Sequence, residues 1–237
     1  MNISLHHFFN KIKFSINIKK MFKKNKQPTP ILNSKPRYVD NFDFFLIGDE
    51  NVGKTCLLNR YCNDYYTSYK KKKRKPEIFI LKTLNNHLEY KLQFWDLQFN
   101  QDDLDSNQKI IKKSDGIIYV CALNSKQSLN NILKWNKILE DYEDLSKKQK
   151  MLFVNKNDLE DGIEISDQDI NKLCTELKIA NYKMSAKTGN GVKKGFAEFI
   201  HRAITKVYNY ESNKNDNNMK QGKKGNKGNQ KEDCVIL

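Results

Sequence analysis

The segment Gly48-Asp49-Glu50-Asn51-Val52-Gly53-Lys54-Thr55 meets the pattern G-x-x-x-x-G-K-[ST] at every fixed position. Such a loop binds phosphate. Its glycines let the backbone curl until successive N–H groups face inward. A helix starting beside it adds partial positive charge. Lys54 can reach terminal phosphates, and the Thr55 hydroxyl is a hard oxygen ligand suited to Mg²⁺.

Two further clusters can name a base. In Asn155-Lys156-Asn157-Asp158 the Asp158 carboxylate offers acceptors only. Guanine presents two adjacent donors, N1–H and the 2-amino group. Adenine presents neither there and would leave the carboxylate unpaired, at a cost of about 1–3 kcal/mol. In Ser185-Ala186-Lys187 the backbone N–H groups can meet the base oxygen, and the Lys156 and Lys187 stems can flank the ring.

Positioning these groups requires strands that end just before them. The run Phe42–Ile47 reads as a buried strand and Cys56–Tyr61 as the start of a helix. Expected strands are Asp43–Gly48, Ile78–Leu84, Leu88–Asp96, Gly116–Ala122, Lys150–Asn155 and Tyr182–Met184. Expected helices are Lys54–Cys62, Ser125–Asp141, Ser166–Leu177 and Gly191–Tyr208. The link Asn85-Asn86-His87 predicts an antiparallel hairpin. The remaining alternation of strand and helix predicts a mostly parallel sheet, with ligands at its carboxyl edge.

The chain has 237 residues and a net charge of +15. That excess suits an acidic partner without saying which. It lies mostly in the two ends and in the run Lys70–Lys75, and no RNA-binding motif accompanies it, so a nucleic-acid binder is disfavoured. Five scattered cysteines without C-x-x-C spacing fit a reducing compartment better than a disulfide scaffold. Residues 1–37 read as a basic extension. They form either an unstructured tail, which the composition favours, or an amphipathic helix on a membrane surface; no signal-peptide core is present. The folded domain is expected over 38–208. A Lys/Asn/Gly-rich tail without regular structure is expected over 209–237.

In order, GDENVGKT, WD, NKND and SAK resemble the small GTPases of the Ras superfamily, the Rab branch most closely. Lys91–Asp96, Asp115–Val120 and Asn130–Trp135 are similar to Rab segments as well. The resemblance covers Phe42 to Tyr208. It implies the P-loop GTPase fold (G domain), an α/β architecture with a six-stranded, mostly parallel sheet, one antiparallel strand and helices on both faces. It implies GTP or GDP with Mg²⁺. Residues Glu50, Asn51, Val52, Gly53, Lys54, Thr55 and Cys56 would line the phosphates. Asn155 would steady the base pocket, Lys156 and Lys187 would flank the ring, and Asp158 would read guanine. Ser185 and Ala186 complete the loop, Ala186 through its amide, and Tyr66 would place an aromatic edge by the base. Asp96 would support Mg²⁺ from one shell further out than Thr55.

The parts that sense and cleave the γ-phosphate depart from the family pattern. Counting from the loop threonine puts the expected switch threonine at Lys73, within the Lys70–Lys75 run; Thr67 lies too near the helix to replace it. The D-x-x-G-Q segment reads Asp96-Leu97-Gln98-Phe99-Asn100. Phe99 stands for the glycine, and Asn100 for the glutamine that orients water. Glu50 either crowds the γ-phosphate or points to solvent. Slow hydrolysis with retained binding is expected. Ordinary turnover and a nucleotide-stabilised scaffold are the alternatives.

The stretch Cys234-Val235-Ile236-Leu237 has the C-a-a-X form, in which Leu favours a geranylgeranyl group on Cys234. One chain anchors weakly. Lys220, Lys223, Lys224, Lys227 and Lys231 would add about 1 kcal/mol each near an anionic leaflet. The expectation is a protein on the cytoplasmic face of a membrane that recruits partners in vesicle traffic, and is cytosolic when unprenylated. Rab proteins more often carry two terminal cysteines, so this box fits the superfamily better than the branch.

Overall fold

Every position from Phe44 to Ile47 is apolar, which a strand tolerates only if both faces are covered. The computed structural model, which describes residues 37–68, 77–85, 88–97 and 101–224, shows that arrangement. Its strands are β1 (Arg37–Ile47), β2 (Glu77–Asn85), β3 (Leu88–Asp96), β4 (Gly116–Ala122), β5 (Gln149–Asn155) and β6 (Ala180–Lys183). They form one sheet in the order β2-β3-β1-β4-β5-β6. Only the β2–β3 pair is antiparallel; the other four pairs are parallel. Five α-helices lie among the described residues: α1 (Lys54–Asn63), α2 (Gln101–Lys113), α3 (Lys126–Tyr142), α4 (Asp167–Leu177) and α5 (Val192–Lys224).

Strand alternation divides the core. Phe44 and Leu46 face α1 and α5, packing with Leu57, Leu58, Phe196 and Phe199. Phe45 and Ile47 face the other helices, packing with Ile111, Ile132 and Leu173. On the first side aromatic rings interlock. Phe196 stacks on Tyr61 at 4.2 Å between centroids, and meets Phe94 and Phe153 edge-on at 5.5 and 5.0 Å. This packing fixes α1 and α5 against the sheet, and with α1 the loop that precedes it.

Four elements differ from expectation. β6 spans Ala180–Lys183 rather than Tyr182–Met184, because its ladder with β5 starts at Ala180 and ends at Lys183. β1 begins at Arg37, ahead of Asp43, because Phe42 is buried beside Tyr90 and Tyr208 and the Tyr208 hydroxyl donates to Asp40 at 2.7 Å. The helix α2 was not foreseen. Its apolar stripe is thin, and buried Asn107 holds a position where periodicity asks for an apolar residue. α5 runs past Tyr208 to Lys224; no glycine or proline interrupts the chain between Asn209 and Gln221, so nothing in the sequence stops the helix.

Candidate functional site

The loop 48–55 joins the end of β1 to α1 at the carboxyl edge of the sheet. Two glycines are dictated by contact. At Gly48 a Cβ would lie 2.1 Å from the Val120 carbonyl oxygen. At Gly53 the backbone is left-handed (φ +95°), and a Cβ would lie 2.3 Å from Asn155 Nδ2. Gly53 therefore lets the loop close onto the strand that carries the base motif. Its carbonyl accepts the first helical bond, from Leu57 N–H at 2.9 Å, and it offers no side chain to cap the helix.

Lys54 lies back across this loop. Its Nζ donates to the carbonyls of Gly48 (2.6 Å) and Asp49 (2.9 Å), which holds the ammonium against the first residues of the loop. Thr55 Oγ1 donates to Asp96 Oδ2 at 2.5 Å, and Asp96, at the end of β3, is buried. A hydroxyl and a carboxylate meeting beside a phosphate loop form a hard-oxygen set, which fits Mg²⁺. Asn51 takes a left-handed conformation (φ 67°), which asparagine tolerates better than most residues. Glu50 and Asn51 are exposed and Val52 is buried.

Asn155 joins three segments. Its Nδ2 donates to the Val52 carbonyl at 2.8 Å, and its Oδ1 accepts from Ala186 N–H at 3.1 Å. The amide assigned to the base oxygen thus also binds Asn155. Asp158 Oδ1 accepts from Ser185 Oγ at 2.6 Å, and its Oδ2 lies 3.8 Å from Lys187 Nζ. One hydrogen bond and one ion pair hold the carboxylate in orientation while leaving acceptor sites for two donors. Lys156 is left-handed (φ 66°), a strained choice for lysine and one that turns the chain sharply after β5. Its Nζ donates to Asn124 Oδ1 at 3.1 Å.

Tyr66 is half-buried, whereas neighbouring Tyr65 is 54 % exposed. Burial raises the Tyr66 phenol pKa, and the Cys56 thiol and Asp158 carboxylate raise it further, so the ring lies within electrostatic reach of Asp158. Cys56 Sγ contacts the Thr67 carbonyl at 3.5 Å. The phosphate loop, Asp96 and the two base loops therefore converge on one rim, as expected. Lys73, Phe99, Asn100 and Cys234 lie outside the described residues.

Sequence reasoning missed three contributors. Asp49 accepts from Asn131 Nδ2 (2.7 Å) and Trp135 Nε1 (3.0 Å), which ties the phosphate loop to α3. The i,i+4 spacing of those two residues, which puts them on one helix face, was the available signal. Asn124 steadies Lys156. Arg60 donates to the carbonyls of Ala186 and Lys187.

A family model described as the Ras family matches residues 43–205. Among curated proteins, Ras-related protein Rab-15 of Mus musculus is 27% identical over 165 residues, covering 69% of this chain and 76% of that protein. Ras-related protein RIC1 of Oryza sativa subsp. japonica is 29% identical over 161 residues, covering 68% and 79%. Ras-related protein Rab-8B of Pongo abelii is 27% identical over 166 residues, covering 70% and 80%. The match spans the sheet and both base loops, and Ras-family proteins bind guanine nucleotides, generally with Mg²⁺. With that span and this geometry, the chain belongs to the Ras family as a Rab-like small GTP-binding protein.

Proposed function

We propose that this protein holds guanine nucleotide firmly and hydrolyses GTP slowly, acting in membrane or vesicle traffic by recruiting partners. The carrying observation is the joined binding site. Asn155 links the phosphate loop to the base loop, while Ser185 braces Asp158. Lys54, Thr55 and Cys56 line the phosphates with the amides of 50–53; Asp158, Ala186, Lys156, Lys187 and Tyr66 surround the base. Mg²⁺ would be held by Thr55, with Asp96 behind it, and would supply positive charge against the phosphates.

Hydrolysis asks for more than binding. It needs an oriented water and donors at the γ-phosphate. Lys73, Phe99 and Asn100 replace the threonine, glycine and glutamine that provide them in the family. Asn100 is one methylene shorter than glutamine, and Phe99 puts a side chain where close backbone approach is needed.

Prenylation of Cys234 together with the basic tail would place the protein on a cytoplasmic membrane face. A lipid mass shift on the Cys234 peptide from native cells supports this; its absence removes the anchor. For the main reading, the nucleotide that co-purifies is identified and phosphate release is followed in a single turnover. GDP or GTP with release far slower than is usual for the superfamily is expected. ATP, or no nucleotide, overturns the site; rapid release overturns the slow-hydrolysis reading. The scaffold alternative draws on the same substitution of Phe99, and predicts partner binding that is equal for GDP- and GTP-loaded protein.

A further inference from the structure

Arg60 lies on α1, six residues beyond Lys54. It reaches across to the base loop. Nε donates to the Ala186 carbonyl and Nη2 to the Lys187 carbonyl, each at 3.0 Å. Nη1 donates to the Asp64 carbonyl at 3.0 Å, past the end of α1. The side chain is only 19% exposed, and its Cδ lies where a Cβ on Gly189 would meet it, at 3.5 Å. The guanidinium therefore runs beneath the loop 185–189.

We propose that Arg60 is a positioning residue for base recognition: it fixes the peptide planes of the Ser185–Lys187 loop so that their amides face the purine. This rests on the guanine-site reading above. In a trans peptide, the carbonyl of one residue and the N–H of the next point in opposite directions. Holding the Ala186 carbonyl toward α1 turns the Lys187 N–H away from α1. Holding the Lys187 carbonyl does the same for the Thr188 N–H, which donates to Ser185 Oγ at 3.1 Å. That hydroxyl donates to Asp158. Ala186 is gripped on both sides, by Asn155 Oδ1 at its N–H and by Arg60 at its carbonyl. One planar fork thus orients an amide for the 6-oxygen. Lysine, a single donor centre on a flexible stem, cannot hold two carbonyls in a plane in this way.

The test compares GDP with the diphosphate of 2,6-diaminopurine riboside, which carries an amino group in place of the 6-oxygen, loses the N1–H donor and keeps the 2-amino group. Dissociation constants are measured for the full chain, for R60M and for R60K. R60M is expected to weaken GDP by about tenfold, the scale of one such hydrogen bond, and to leave the 6-amino analogue within about twofold. R60K should stay nearer R60M than the parent. Equal weakening of both nucleotides shows a general brace of α1 and overturns the proposal, as does no weakening of GDP, or full recovery by lysine. If R60M does not fold, R60Q, which keeps one N–H donor group, carries the same comparison. A parent protein without preference for GDP over the analogue removes the guanine site itself, and the proposal with it.

Discussion

At the base end of the cleft, side chains tie β1's loop, α1, β5 and β6's loop together, mostly through backbone groups: Asn155 to the Val52 carbonyl and the Ala186 N–H, Arg60 to the Ala186 and Lys187 carbonyls, and Ser185 to the Asp158 side chain. At the γ-phosphate end the half-buried Thr55 still meets buried Asp96, while the residues that would contact γ-phosphate and water are exchanged for Lys73, Phe99 and Asn100. On the reading proposed above, holding a nucleotide and cleaving it draw on separate parts of this fold. The first set is stitched into the sheet by contacts that do not involve the second, so the second can change without unmaking the site.

The sharpest way to break the comparison is Asp158→Asn. It exchanges an acceptor for a donor facing guanine's two donors, and should weaken GDP by on the order of 10²–10⁴-fold while improving xanthosine diphosphate, whose 2-oxygen accepts. Unchanged GDP affinity, read by equilibrium titration, would mean that the base end is not what reads the purine. At the other end, Phe99→Gly with Asn100→Gln should raise single-turnover hydrolysis by about tenfold or more and leave GDP affinity nearly alone. If both quantities move together, the two ends are not separate.

Gly53→Ala puts a methyl 2.3 Å from Asn155 Nδ2 at a left-handed φ. It should cost about 1–3 kcal/mol, seen as faster GDP dissociation and a lower melting temperature. Asn131→Ala removes one of two donors to Asp49. A few-fold faster dissociation, from about 0.5–1.5 kcal/mol, is expected. The smallest effect belongs to Asp115, far from the cleft, where burial holds the carboxyl pKa above its usual range despite the Asp43 N–H it accepts. A raised folded pKa means stability is greatest below the unfolded pKa of about 3.9 and is lost as pH rises through the folded value. Asp115→Asn should therefore flatten that loss on melting at successive pH values, leave the fold as stable or more so at pH 7, and not change nucleotide affinity.

Much of the site could be read locally. The loop 48–55 is contiguous, and the apolar run Met151–Val154 marks the strand before the first base motif, whereas β6, Ala-Asn-Tyr-Lys, has no apolar run and its bounds were misplaced. What escaped was tertiary. Arg60 meets carbonyls 126 and 127 positions away, and Asp49 meets donors 82 and 86 positions away; a polar residue on a helix carries no mark of so distant a partner. The helix α2 escaped for a different reason, since buried Asn107 interrupts the apolar period by which amphipathic helices are recognised.

The chain has two tryptophans, and each gives its indole N–H to an aspartate flanking β1's buried core, Trp95 to Asp43 and Trp135 to Asp49, both at 3.0 Å. Indole emission responds to its hydrogen-bonding surroundings. The protein thus carries two native optical probes flanking the buried stretch Phe44–Ile47, the Trp135 signal reporting on the phosphate loop through Asp49 and the Trp95 signal on the sheet beside Asp96.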